Sequence, residues 1–320
     1  MTAYCRQHNL IITNEEKLDK CMACRLAKAK DRQYHRNAHL LRSSTPGDYW
    51  HIDLIGPLRI KTLGGKRFAL LCTDDASGYR KLYLLNTKGE QIKTFETLYA
   101  WASAQLDTKI RQVRTDGDWT TNAWTEFRDT HGIEQLQTTT DHPNSNPVAE
   151  RTNGITCTMA RCLLIAAGLP PSFFGEALNA ATYILNRTHS TRSGPTTTPL
   201  QVLNPSQQHS LELRAYGCHA WVRKTSSTGK ALPRADEGIL VGYDEMQRAY
   251  RVFIPNQRKV LVSDAVTFDE TTIGLRTTRP PWRDLPLSQL IHKEEVRNLR
   301  LNKSIFRLSE VLSPRPSNSI

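Results

Sequence analysis

Residues 49–56 read YWHIDLIG, an apolar run of strand length with one carboxylate, Asp53, set among Ile52, Leu54 and Ile55. An acid inside such a strand needs a reason, because burying an unpaired carboxylate is costly. Working outward, FALLCTD (68–74) is a second run of strand length, and GYRKLYLLN (78–86) follows with partial alternation. EQIKTFETLYAWASAQL (90–106) sets Ile92, Phe95, Leu98, Tyr99 and Ala102 at helical spacing. IRQVRTD (110–116) is a short strand ending on Asp116, AWTEFRDTHG (123–132) a helix closed by Gly132, and IEQLQTT (133–139) another strand. A long helix is expected over 147–168, with Asn146 as N-cap, Pro147 in its first position and Gly168 at its far end. Glu150 falls in its first turn, and a further helix over 172–187 follows Pro170-Pro171. Three strands, a helix, a strand, a helix, a strand and then helices predict an α/β fold, a mixed sheet with helices on its faces.

The chain changes character after residue 190. GPTTTPLQVLNPSQQ (194–208) is rich in turn formers, and four short strand signals follow: HAWVRK (219–224), GILVGYD (238–244), AYRVFI (249–254) and KVLVSDAVTF (259–268). Closely spaced short strands with turns between them predict a small β-barrel over 195–270. Residues 271–320, with Pro280-Pro281, Pro286 and a final SPRPSNSI, read as extended or disordered, with one basic helix over 289–303.

Lys and Arg number 43 against 31 Asp and Glu, a formal charge of +12, and the isoelectric point is near 9.5. A polyanion such as nucleic acid is the natural partner of that surplus, through phosphate neutralisation and counterion release. A merely basic soluble protein has the same composition. Seven cysteines show no extracellular disulfide framework. Cys72, Cys157, Cys162 and Cys218 sit in apolar surroundings and read as core residues. The charged first twenty residues do not read as a signal peptide, and Arg161 and Pro170 interrupt the best apolar run. No membrane contact is expected, and the compartment expected is a reducing one, nucleus or cytoplasm.

Asp53, Asp116 and Glu150 stand out together. Carboxylates converging on Mg²⁺ or Mn²⁺ would account for Asp53, since these hard cations take oxygen ligands and a metal pair can activate a nucleophile. Taken singly, Asp53 could face solvent, Asp116 cap a loop and Glu150 favour the helix N-terminus. The segments HIDLIGPL, RTDGDW and HPNSNPVAERTN resemble the three catalytic blocks of retroviral-type integrases, the copia branch of LTR retrotransposons in particular. CMACRLAKAKDR is similar to the end of that family's zinc-binding N-terminal module, and GLPPSFFGEALNAATYILNR to its helix after the catalytic Glu. AYGCHAWV, EGILVGY and VLVSDAVTFDE are similar to its SH3-like domain. The resemblance runs from about residue 21 to about 270 and covers several motifs.

The resemblance implies an RNase H-like three-layer core over 46–190, an SH3-like β-barrel over 195–270, a shortened zinc module over 1–45 and a basic tail over 271–320. It implies DNA integration by a metal-dependent polynucleotidyl transferase, with Asp53, Asp116 and Glu150 as the D,D-35-E triad holding Mg²⁺ or Mn²⁺. DNA, element ends and target, would be the partner, RNA a further one, and the active form a homo-oligomer. Lys28, Lys30, Arg32, Arg151, Asn153 and Arg161 are the expected nucleic-acid contacts. Two departures matter. Only 33 residues, 117–149, separate Asp116 from Glu150, and Gly117-Asp118 follows Asp116 directly. A shortening beside a metal ligand re-aims its carboxylate. The zinc module keeps Cys21 and Cys24 but lacks the family's histidine-rich start; Cys5 and His8 would complete a four-ligand Zn²⁺ site of another spacing. No protease or polymerase signature is present, so a fragmentary copy of a polyprotein is expected. Two alternatives stay open: an inactive remnant that binds DNA or RNA, and an RNase H-like nuclease that cleaves without joining.

Overall fold

The computed structural model describes residues 43–106, 108–117, 119–137, 146–206, 211–224 and 233–274. Cys5, His8, Cys21, Cys24, Lys28, Lys30 and Arg32 lie outside the described residues, as does the sequence beyond 274, including the helix expected over 289–303. The strand that carries Asp53 is β1 (Tyr49–Ile55), followed by β2 (Phe68–Asp74) and β3 (Arg80–Leu85). Helix α1 (Gln91–Gln105), β4 (Gln112–Thr115), α2 (Asn122–His131) and β5 (Glu134–Gln137) come next. Each matches its sequence expectation to within two or three residues at either end.

The five strands form one sheet in the order β3-β2-β1-β4-β5. β2 runs antiparallel to β1 and β3, whereas β4 is parallel to both β1 and β5. This is the mixed sheet of an RNase H-like core. Because alternate residues of a strand face opposite sides, β1 sends Trp50 and Ile52 into one layer and His51 and Asp53 into the other. The first layer packs Trp50, Ile52, Leu70 and Cys72 against Phe95 and Leu98 of α1 and Trp124 of α2, all fully buried. Each such side chain contributes about 1.5–3 kcal/mol through burial. Aromatic edges reinforce the layer: Phe95 meets Trp119 and Trp124 in T-shaped pairs with ring centroids 5.9 and 5.2 Å apart.

The opposite layer belongs to α3 (Pro147–Ala167) and α4 (Phe174–Asn186). The start of α3 is written as the sequence indicates: the Asn146 side chain accepts from the Ala149 amide, Pro147 occupies the first turn, and Gly168, at φ +62°, ends the helix. α2 likewise ends on Gly132 at φ +63°. Ala160 and Leu164 of α3 and Ala177, Leu178 and Ala181 of α4 form the apolar layer beneath the sheet. That cluster continues into Ile239 and Val241 of a second sheet, so the two sheets share a core.

The second sheet comprises β6 (Cys218–Arg223), β7 (Ala235–Asp244), β8 (Ala249–Ile254), β9 (Lys259–Ser263) and β10 (Val266–Ile273), all neighbours antiparallel, in the order β10-β6-β7-β8-β9. The run expected over 259–268 is two strands. The Ser263 hydroxyl accepts from the Ala265 amide at 3.2 Å, and a tight backbone bond from Val266 to Asp264 at 3.0 Å turns the chain. A short helix, α5 (Pro199–Leu203), sits in the stretch taken as turns; Thr198 and Gln201 cap it reciprocally. No helix among the described residues is long and apolar enough to cross a membrane.

Candidate active site

β1 and β4 lie side by side, with His51 opposite Arg114. Carried on by two residues, that parallel register brings Asp116, just past the end of β4, alongside Asp53. From the layer above, α3 delivers Asn153, whose amide donates to Asp53 Oδ2. Glu150 lies three residues earlier on that helix, on the neighbouring stretch of its surface. Asp53 Oδ1 accepts from the Leu54 amide at 2.9 Å.

Burial pushes the Asp53 carboxyl up to about 6, and the nearby negative charges of Asp116 and Glu150 add to the shift, while the Leu54 and Asn153 hydrogen bonds oppose it. Asp116 and Glu150 thus both sit within electrostatic reach of Asp53. Asp53 and Asp116 are half-buried, Glu150 exposed. Among the described residues, no three His, Cys, Asp or Glu side chains already stand in a coordinating array. The donors are nonetheless carboxylate oxygens, the type that hard divalent cations take.

Of the expected nucleic-acid contacts, Arg151 is exposed beside Glu150. Asn153 directs its amide at Asp53. Arg161, also exposed, bonds back to the Cys157 carbonyl and the Thr158 hydroxyl, both at 3.3 Å. Cys72 and Cys218 are buried as expected, but Cys157 and Cys162 are only half-buried.

Sequence reasoning missed a polar group beneath the start of α3. His51 Nδ1 lies 3.1 Å from Asn146 Oδ1, and its Nε2 lies 2.9 Å from Asp75 Oδ1. Arg192 Nη1 donates to the Asp75 carbonyl at 2.7 Å and to its carboxylate at 3.1 Å. Although burial opposes it, the hydrogen bonds from His51 and the Ser43 amide, with Arg192 close by, hold the Asp75 carboxyl below its ordinary value. His51 carried a readable signal, since it precedes Asp53 by one full strand period and so shares its face.

The second sheet is fixed to the core by a fork of hydrogen bonds. Arg251 on β8 donates from Nε and Nη2 to the two carboxylate oxygens of Glu176 on α4, each at 2.8 Å. Gly217, at φ +84°, lets the chain pass over Ala167; a Cβ there would lie 2.4 Å from the Ala167 Cβ.

Residues 218–281 match the family model of the retroviral polymerase SH3-like domain. The retrovirus-related Pol polyprotein from transposon TNT 1-94 of Nicotiana tabacum is 30% identical over 233 residues, which cover 71% of this chain and 17% of that protein. The Pol polyprotein from transposon RE2 of Arabidopsis thaliana is 25% identical over 275 residues, 85% of this chain and 18% of that protein. A transposon Ty1-NL2 Gag-Pol polyprotein of Saccharomyces cerevisiae is 22% identical over 282 residues, 78% of this chain and 16% of that protein. The chain therefore spans less than a fifth of the curated relatives it matches. Among solved structures, the HTLV-2 integrase catalytic core domain in complex with magnesium aligns with a TM-score of 0.39 at 20% identity, over 51% of this chain and all of that one. A simian T-cell lymphotropic virus intasome in complex with the PP2A regulatory subunit B56 gamma aligns at 0.44 and 15% identity, over 80% and 91%. By sequence, this chain belongs with the retrovirus-related Pol polyproteins of copia-type transposons, in their integrase region.

Proposed function

We propose that this chain is the DNA-joining segment of such a polyprotein, a polynucleotidyl transferase in which Asp53, Asp116 and Glu150 act on a phosphodiester. What supports the reading is that the half-buried Asp53 carboxyl is pushed up to about 6, chiefly by burial, with the charges of Asp116 and Glu150 adding to the rise. Like charges gathered at one place destabilise one another unless a cation joins them, and oxygen-only donors suit Mg²⁺ or Mn²⁺. Asp53, Asp116 and Glu150 would hold that cation. Bound there, it would activate the attacking oxygen and stabilise the leaving one.

The chain's own residues position and neutralise. Asn153 fixes the Asp53 carboxylate from α3, the helix that also carries Glu150. Arg151, exposed one residue on, is placed to meet a backbone phosphate. The attacking oxygen, of water in end trimming or of a DNA 3′ hydroxyl in joining, forms the new bond to phosphorus as the old P–O bond breaks. Its proton goes to solvent and the displaced 3′ oxygen leaves. The +12 charge supplies sequence-independent attraction to DNA.

The shortened spacing after Asp116 favours a second reading, a remnant that binds DNA or RNA without cutting it. Nicking and joining of a labelled duplex in Mg²⁺ or Mn²⁺, by the parent chain and by Glu150→Gln, separates the two. Metal-dependent reaction by the parent alone supports the transferase. If neither protein reacts, yet both shift the duplex in a salt-dependent way, the binding remnant stands in its place.

A further inference from the structure

Beneath the N-terminal turns of α3, on the face of β1 that carries His51, a cavity of about 980 Å³ opens between the strand layer and the segment after α4. Four guanidiniums line it, from Arg80 on β3, Arg114 on β4, Arg151 on α3 and Arg192 beyond α4, with Asp75 as the sole carboxylate in its wall. Asp75 is already engaged by His51 and Arg192. Among the described residues, no carboxylate lies within ion-pair reach of Arg80, Arg114 or Arg151.

Arg80 is the telling residue. It is only 8% exposed, and its Nε is buried without a hydrogen-bond partner, as is the Nε of Arg114. Its backbone is held on both sides by Asn186, whose Oδ1 accepts from the Arg80 amide at 2.8 Å and whose Nδ2 donates to the Arg80 carbonyl at 2.7 Å. The backbone at Arg80 is therefore fixed in the cavity wall. A buried cation without an anion is strongly unfavourable. Planar guanidinium forks match the oxygens of a phosphate in pairs. The first turn of α3, with Pro147 and Val148 in the wall, adds the positive end of a long helix.

We propose that this cavity is a phosphate-binding site, built from residues other than the three carboxylates, which takes a phosphate group through Arg80, Arg114 and Arg151. The site stands whether or not the carboxylates catalyse joining. The phosphate belongs either to a nucleic-acid backbone threaded past the start of α3 or to a free polyphosphate.

The test uses the full chain in EDTA, so that no divalent metal contributes, with inorganic tripolyphosphate as the probe, followed by calorimetry and thermal shift. The parent is expected to bind and to gain thermal stability, and Arg114→Gln and Arg151→Gln each to lose about tenfold in affinity. Arg80→Gln removes the buried charge. It is expected to match or exceed the parent's melting temperature without anion and to lose the shift that tripolyphosphate causes; a purely structural arginine would lower the melting temperature instead. A short labelled duplex identifies the source. Competition by tripolyphosphate, with the same arginine dependence, assigns a backbone phosphate, and duplex binding indifferent to both assigns a free polyphosphate; either result supports the site. No binding by the parent, or equal binding by the parent and all three variants, overturns it.

Discussion

The amide of Asn153 on α3 donates to the carboxylate of Asp53 on β1, two residues a hundred positions apart in sequence. It joins the helix that carries Glu150 to the strand that carries Asp53, so the orientation of one acid depends on the seating of the other. Asn153→Ala removes that tether. Joining activity is expected to fall by about 10–100-fold, the range seen when a group that orients a ligand is lost, with stability lowered by no more than about 1–2 kcal/mol. Duplex-joining rates alongside urea unfolding check this; unchanged joining contradicts it.

Asp53 itself is expected to weaken the fold at neutral pH. Its carboxyl sits at about 6 in the folded chain against an ordinary 3.8, chiefly through burial. A raised carboxyl favours the fold while protonated, and that advantage is lost as pH climbs through about 6. Asp53→Asn should therefore add about 1–2 kcal/mol at pH 7.5 in EDTA, with the gain gone below 3.8, where the parental acid is protonated folded and unfolded alike. Urea unfolding at the two pH values decides, and a variant weaker than the parent at pH 7.5 counts against the picture.

The Arg251–Glu176 fork holds the second sheet on α4 with little exposure of the carboxylate. Arg251→Ala leaves Glu176 without that partner and is expected to cost about 2–3 kcal/mol, below the figure for a fully buried pair because Arg251 keeps some solvent contact. Arg251→Lys should recover only part of the loss, since an ammonium cannot reproduce the planar fork. Unfolding curves for the two variants, compared with the parent's, give the order.

At the other joint between the sheets, Gly217→Ala meets two obstacles: φ of +84° and an Ala167 Cβ 2.4 Å from the new methyl. Either alone destabilises, and together they should cost about 2 kcal/mol or more. The same unfolding assay reads this, and a neutral Gly217→Ala would mean the chain does not pass so closely over α3.

Much of this was legible in the sequence because the signals are local. The ends of α3 are written in Asn146, Pro147 and Gly168, and the strand period alone puts Asp53 and Trp50 on opposite faces. α5 was missed although Thr198 and Gln201 spell a capping box, because Pro195, Pro199 and Asn204 around them read as turns. The arginine cavity could not be read at all. Arg80, Arg114 and Arg192 belong to three segments that only the sheet order and the return of the chain after α4 bring together. Likewise the bond from Asn153 to Asp53 depends on where α3 crosses the sheet, which no local pattern specifies. The three acids lie in between: a resemblance brings them to mind, and the β1–β4 register bears on Asp53 and Asp116 alone.

Binding of Mn²⁺ to the full chain, followed by loss of the free-ion resonance signal, tests most directly whether Asp53, Asp116 and Glu150 form one cation site. The parent is expected to bind, and Asp53→Asn, Asp116→Asn and Glu150→Gln each to weaken binding by about tenfold or more, since each removes an oxygen donor and a charge. No binding by the parent, or equal binding by the parent and all three variants, would contradict it.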